Sequence, residues 1–194
     1  MTAIPDLVGR RTVILHRPDE NTQRLVRQLG LLGLDAHVQW APLDLEATPA
    51  DIVLVDADQG WSGLLPWSGE PAPVPLVALL QSEAPGRVAW AISEGALAIL
   101  PKPVVPAAVY PALVLAVTAH TRATEVAVRM ERLEERLRMR PLVHAAVRAI
   151  EMAVRCDEEA AYAVLRRAAM KRRITIEQTA AEMLAGVIPL SEAG

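Results

Sequence analysis

The sequence predicts an α/β protein: a parallel-sheet domain over residues 1–105, then a long coiled-coil helix and a C-terminal three-helix module. Three observations predict it. Short apolar runs alternate with helical patterns over the first ~120 residues. From Pro106 onward the pattern is helical throughout. The charge balance also changes sign: residues 1–120 hold 7 Lys and Arg against 12 Asp and Glu, whereas residues 121–194 hold 13 against 11. Residues 138–173 alone carry 9 basic and 4 acidic side chains, so a regulatory part is followed by a part suited to a polyanion.

Five apolar runs are candidate strands: Thr12–His16, Ala36–Gln39, Asp51–Val55, Val74–Leu80 and Ala98–Leu100. Between the first two, Leu25, Leu29 and Leu32 recur at helical spacing, and Gly30 and Gly33 close that helix. Between the third and fourth, residues 61–73 are rich in Pro and Gly, which predicts a shortened or missing helix. Hydrophobic residues make up 52% of the chain without a single Phe, so the core is built from Leu, Val, Ile and Ala.

Pro106 suits a first helical position, and Pro111 is close enough to the start to cause only a mild kink. A 3-4 repeat then runs through Ala112, Ala116, Ala119, Ala123, Val126, Met130, Leu133 and Leu137, flanked by Glu131, Arg132, Glu134, Glu135 and Arg136. It predicts a dimeric coiled coil over residues 106–140. The alternative is a helix packed back on its own sheet domain. After Pro141 three helical patterns form a module over residues 141–186, and residues 187–194 are a tail. The first pattern covers Leu142–Arg155. Asp157 caps the second, which carries Tyr162, Leu165 and Ala169. Thr175 and Gln178 form a capping box for the third, with Ile176, Ala180, Met183 and Leu184 on one face and Gly186 and Pro189 ending it.

The strand Asp51-Ile-Val-Leu-Val-Asp56 ends in a carboxylate, and Lys102-Pro103 follows the last strand. This pattern resembles the receiver domain (a flavodoxin-like sheet) of response regulators. The resemblance implies a phosphoryl-accepting Asp56, a phosphate-contacting Lys102 and a divalent cation held by an acidic pair after the first strand. Here His16 and Arg17 occupy the places of that pair, Asp19 and Glu20 are displaced, and Leu80 stands where a hydroxyl is expected. Without those carboxylates the cation has no holder. Asp56 and Lys102 therefore read as remnants of the site, paired with each other, in a pseudo-receiver that phosphorylation does not control.

The stretch Ala160-Ala-Tyr-Ala-Val-Leu-Arg-Arg-Ala-Ala-Met-Lys-Arg-Arg173, followed by Ile176 and Ala180-Ala-Glu-Met-Leu184, resembles an ANTAR module. The whole order is similar to the AmiR and NasT type of antitermination regulator. Two places depart from that family: Val147, Arg148 and Glu151 in the first module helix, and Arg155 where a turn glycine stands. The resemblance implies a leader RNA whose hairpin loops the module binds, preventing a terminator from forming. It also implies an inhibitory sensor of periplasmic-binding fold as partner. Arg166, Arg167, Lys171, Arg172 and Arg173 suit phosphates and splayed bases by bidentate bonding and stacking, and Tyr162 is a candidate stacking platform. Trp61 and Trp67, within 61–73, and the coiled coil are the candidate surface for the sensor.

Other classes remain as alternatives: a phosphorylation-controlled regulator, a dimeric DNA-binding regulator, and an adaptor that sequesters a partner. Residues 176–184 resemble the first helix of a helix-turn-helix, but only eight residues follow Gly186, too few for a recognition helix. An enzyme is not expected. His16, His37, His120 and His144 lie far apart without metal spacing, no phosphate-binding glycine loop is present, and Cys156 stands alone, so neither metal nor cofactor is expected. Apolar stretches near 76–80 and 112–117 are too short for a membrane span, and Asp6, Arg10 and Arg11 interrupt any signal-like run. A cytoplasmic protein is the expectation.

Overall fold

The computed structural model describes residues 4–67 and 70–188. Five parallel strands, β1 (Arg11–Leu15), β2 (Asp35–Gln39), β3 (Ile52–Asp56), β4 (Leu76–Leu80) and β5 (Ala98–Pro101), form one sheet in the order β2-β1-β3-β4-β5. That order places the C-terminal ends of β1, β3 and β4 side by side, where open α/β sheets put their sites. Each strand lies within two residues of its sequence expectation. The central strands β3 and β4 are buried at every position, and apolar runs of that kind have little freedom to shift.

The two faces of the sheet are covered differently. On one, Ile14, Leu54, Val77 and Leu79 pack under Leu25 and Leu29 of α1 (Glu20–Leu31) and under Val109, Leu113, Ala116 and Val117 of a long helix. On the other, Val13, Leu15, Val53 and Val55 meet Leu43, Leu64, Leu65 and Trp67, all from irregular segments. The helix expected to be short or missing after β3 is thus replaced by loop side chains that fill the same volume. A nine-residue helix, α2 (Pro85–Ser93), connects β4 to β5. Gly60 is required at the edge of that helix, because a Cβ there would collide with the Trp90 ring.

The long helix, α3 (Pro106–Val154), runs for 49 residues without interruption through Pro111 and Pro141. Two expectations change here. Ala112 and Ala116, the first positions of the expected seam, are 7% and 0% exposed in the chain's own sheet core, as the packed-back alternative had it. Pro141 does not end the helix; it removes one backbone donor on an exposed stretch, where water can satisfy the freed carbonyl. Residues 121–138 are exposed throughout, including Val126, Met130, Leu133 and Leu137.

The chain divides into two compact units, Met1–Glu125 and Val126–Gly194. The second is a three-helix module with its own core. Val147 and Ile150 of α3 pack with Ala161, Val164 and Leu165 of α4 (Glu158–Arg172), and with Ala180 and Met183 of α5 (Ile176–Leu184). Asp157 caps α4 by accepting from Ala160 N at 2.8 Å, and Thr175 caps α5 by accepting from Gln178 N at 3.1 Å. The capping box at α5 is one-armed, since Gln178 gives its amide to Glu182 at 3.3 Å. Ile188 folds back into this core, and among the described residues no helix follows α5. Pro189 and most of the expected tail lie outside the described residues.

Candidate functional site

At the C-terminal ends of the strands, Asp56 closes β3 and is fully buried. Its Oδ1 accepts from Lys102 Nζ at 2.8 Å and from Asp58 N at 3.0 Å. Lys102 also reaches Asp58 Oδ2 at 2.9 Å, and Asp58 accepts from Gln81 N and Ser82 N at the end of β4. Burial alone would lower the Lys102 pKa, but hydrogen bonds from its ammonium to the two carboxylates, and their charges, raise it above the usual lysine value. Burial likewise pushes Asp58 up, and the hydrogen bonds from Lys102, Gln81 and Ser82 more than reverse that. Asp58 is a site residue that the sequence reading missed; an aspartate two residues after a strand end is the signal that could have found it.

His16 stands 3.3 Å from Asp56 Oδ2 through Nε2, though not aligned as a hydrogen bond, and its Nδ1 donates to the Arg17 carbonyl at 2.6 Å. The imidazole, only 4% exposed, packs beside Asp56 at a position where the receiver resemblance expects a cation-holding carboxylate. Asp19 is committed elsewhere as N-cap of α1, accepting from Thr22 N at 2.8 Å, and Glu20 pairs with Arg24. Leu80, where a hydroxyl was expected, is 5% exposed in an apolar cluster with Ala57 and Ala91. These residues do not fit a divalent cation. Among the described residues no group of three or more His, Cys, Asp or Glu is placed to hold one.

The two tryptophans singled out in 61–73 separate. Trp67 is a core residue, 5% exposed, whose Nε1 donates to the Glu94 carbonyl at 3.0 Å. Trp61 is 40% exposed and meets the edge of Trp40 at 5.0 Å, with the Arg17 guanidinium 5.8 Å from the Trp40 ring centre. Of this edge-to-face pair Trp61 is exposed and Trp40 is half-buried against the sheet core.

In the C-terminal module, α4 distributes its cations over two faces. Tyr162, Arg166, Met170 and Arg173 recur at spacings of 4, 4 and 3 and are exposed along one line. Arg167 and Lys171 are exposed on another. Arg172 lies 3.7 Å from Glu182. Tyr162 is 44% exposed and lines a 710 Å³ cavity with Arg136, Arg140 and His144 of α3. Arg166 and Arg173 line an adjoining 510 Å³ cavity that also includes Arg136. The sequence pattern places Arg136 on the coiled-coil flank and gives Arg140 and His144 no role. Their spacing of four places them on one helical face toward α4.

Comparisons with known proteins place the chain by family and by fold. Residues 10–117 match the family model described as AmiR, N-terminal, and residues 131–184 match the ANTAR domain. The chain is 28% identical over 178 residues to the aliphatic amidase regulator of Pseudomonas aeruginosa, covering 90% of each. Its fold is similar to that of the response regulator StyR, with a TM-score of 0.53 at 16% identity over 96% of this chain and 100% of that one. A receiver domain of ShkA, solved with c-di-GMP, aligns with 58% of this chain and 96% of its own at 25% identity and a TM-score of 0.44. No helix among the described residues is long and apolar enough to cross a membrane.

Proposed function

From the premise that this chain belongs to the AmiR N-terminal family and carries an ANTAR domain, as an RNA-binding antitermination regulator, we propose that it binds a hairpin-containing leader RNA and keeps a transcription terminator from forming. The observation that carries this reading is the exposed line Tyr162–Arg166–Arg173 beside a groove walled by Arg136 and Arg140. Splayed loop bases are recognised by stacking on an aromatic ring, and phosphates by guanidinium forks. The Pseudomonas aeruginosa relative is itself named as a regulator, which supports a role in gene control.

Control passes through a partner rather than through phosphorylation. Asp56 is fully buried, with Lys102 and His16 against its two oxygens, which leaves no open position for a phosphoryl donor and its cation. The partner is a ligand sensor of periplasmic-binding fold that holds the regulator inactive, and the Trp40–Trp61 pair is the anchor available to it. Two copies pair through the exposed apolar positions Val126, Met130, Leu133 and Leu137, presenting two RNA-binding modules.

The test is a gel shift of the full chain with hairpin RNA against duplex DNA of the same length. Replacing Arg166 and Arg173 together by Ala should weaken hairpin binding by roughly tenfold or more and flatten its salt dependence by about two phosphate contacts. Unchanged hairpin affinity in a folded double variant would sink the reading.

A further inference from the structure

Glu158 and Glu159 precede Tyr162 on α4 by one helical turn, so the ring and both carboxylates share a face. That face forms one wall of the 710 Å³ cavity. Arg136, Arg140 and His144 of α3 form the opposite wall, and Glu177 of α5 closes one end. The volume lies within the range of pockets that enclose small planar ligands. Two guanidinium groups and three carboxylates border this space. Yet among the described residues no ion pair within 4.0 Å joins Arg136 or Arg140 to any of the three. The charges are held apart across the cavity, and their hydrogen-bonding capacity is open to a guest.

We propose that, granted the RNA reading above, this cavity receives one loop base turned out of the stack and selects a base with an exocyclic amino group. Adenine, guanine and cytosine bind there in preference to uracil. Carboxylates only accept hydrogen bonds, and an amino group offers them N–H donors, as in the pairing of Glu with cytosine N4. Uracil presents a single ring N–H between two carbonyl oxygens, which the carboxylates repel. Tyr162 supplies the stacking face. The phosphates lie toward the adjoining 510 Å³ cavity, which Arg136, Arg166 and Arg173 border; Glu177 borders both cavities and stands between them. A nucleotide seated with its base toward Glu158 and Glu159 and its phosphates toward Arg136 and Arg166 satisfies both charge signs. The reverse orientation satisfies neither.

The experiment is a binding selection by the full chain from RNA hairpins of constant stem and randomised loop, with excess duplex DNA as competitor, read by sequencing. At one loop position uracil should be depleted about tenfold among bound hairpins. Glu158→Gln together with Glu159→Gln, which keeps side-chain shape, should abolish most of that depletion while hairpins still bind. Tyr162→Ala should lower affinity about tenfold with an unchanged far-ultraviolet circular dichroism spectrum. Enrichment of hairpins without uracil depletion at any position, or with the same depletion in the Gln pair, overturns the base slot and leaves the RNA reading standing. Failure to enrich any hairpin over the duplex removes both.

Discussion

Lys102 Nζ lies 2.8 Å from Asp56 Oδ1 in a pocket where the two side chains are 6% and 1% exposed. A buried pair of this kind contributes little net stability, because desolvation offsets most of the attraction. Removing one partner is different, since it strands a charge. Lys102→Met should destabilise the N-terminal unit by about 3 kcal/mol, and adding Asp56→Asn should restore part of the loss. Urea unfolding measures both. In the same protein, acetyl phosphate with Mg²⁺ should leave the intact mass unchanged. An acylphosphate at Asp56 would show that the pair opens readily.

Acid should weaken the N-terminal unit through Asp19 and Asp58. Burial pushes the Asp19 carboxyl up, but hydrogen bonds from Thr22 and Asn21, helped by His16, bring it down to about 2 from the usual 3.8. Asp58 is lowered as well. Both bind protons more weakly when folded, so their stabilisation is complete above the ordinary carboxylate value and disappears as pH falls through the folded values. The melting temperature should decline between about pH 4 and pH 2, and Asp19→Asn, which keeps the cap acceptor, should make that decline shallower. Lys102 acts at the other extreme: its stabilisation is present below pH 10.5 and is lost as pH rises through its raised folded value.

Arg155, between α3 and α4, holds a left-handed backbone at φ 56°, and Arg173 at the end of α4 does the same at φ 58°. That conformation costs an L-residue roughly 1–2 kcal/mol, and glycine avoids it at an entropic cost of about 0.5–1 kcal/mol. Arg155→Gly should therefore raise stability by roughly 0.5–1 kcal/mol with hairpin affinity intact. Arg173→Gly should give a similar gain in stability while weakening RNA binding, because it also removes a cation from the groove. A pair of variants that are equally stabilised and equally competent for RNA would detach Arg173 from the interface.

Val126, Met130, Leu133 and Leu137 are between 46% and 61% exposed along one stripe of α3. Continuing the same 3-4 spacing reaches Arg140 and His144, whose charge and polarity end the apolar stripe. Light scattering should give a mass twice the 21.0 kDa of one chain, and Met130→Glu with Leu133→Glu should reduce it to one. A double variant that stays dimeric would place the contact elsewhere.

Much of this protein is determined locally. Strands β1 to β5, the caps at Asp157 and Thr175, and the placement of Asp56 and Lys102 at strand ends follow from period, turn chemistry and capping, which act over a few residues. What covers an apolar stripe does not. The 3-4 repeat marks one face of α3, but only the fold decides that Ala112 and Ala116 are buried in the sheet core while Val126, Met130, Leu133 and Leu137 are exposed among the described residues. The site beside Asp56 needed the same step. Parallel register brings the ends of β1, β3 and β5 together, so His16, Asp58 and Lys102 become neighbours although up to 86 residues separate them. Arg136 joins the groove for a like reason: helix α3 continues through Pro141, and that continuity carries a residue of the presumed coil onto the wall facing Tyr162. Periodicity fixes which side of an element is apolar or charged. Long-range packing chooses its neighbour, because that choice depends on the summed fit of surfaces that no short stretch of sequence contains.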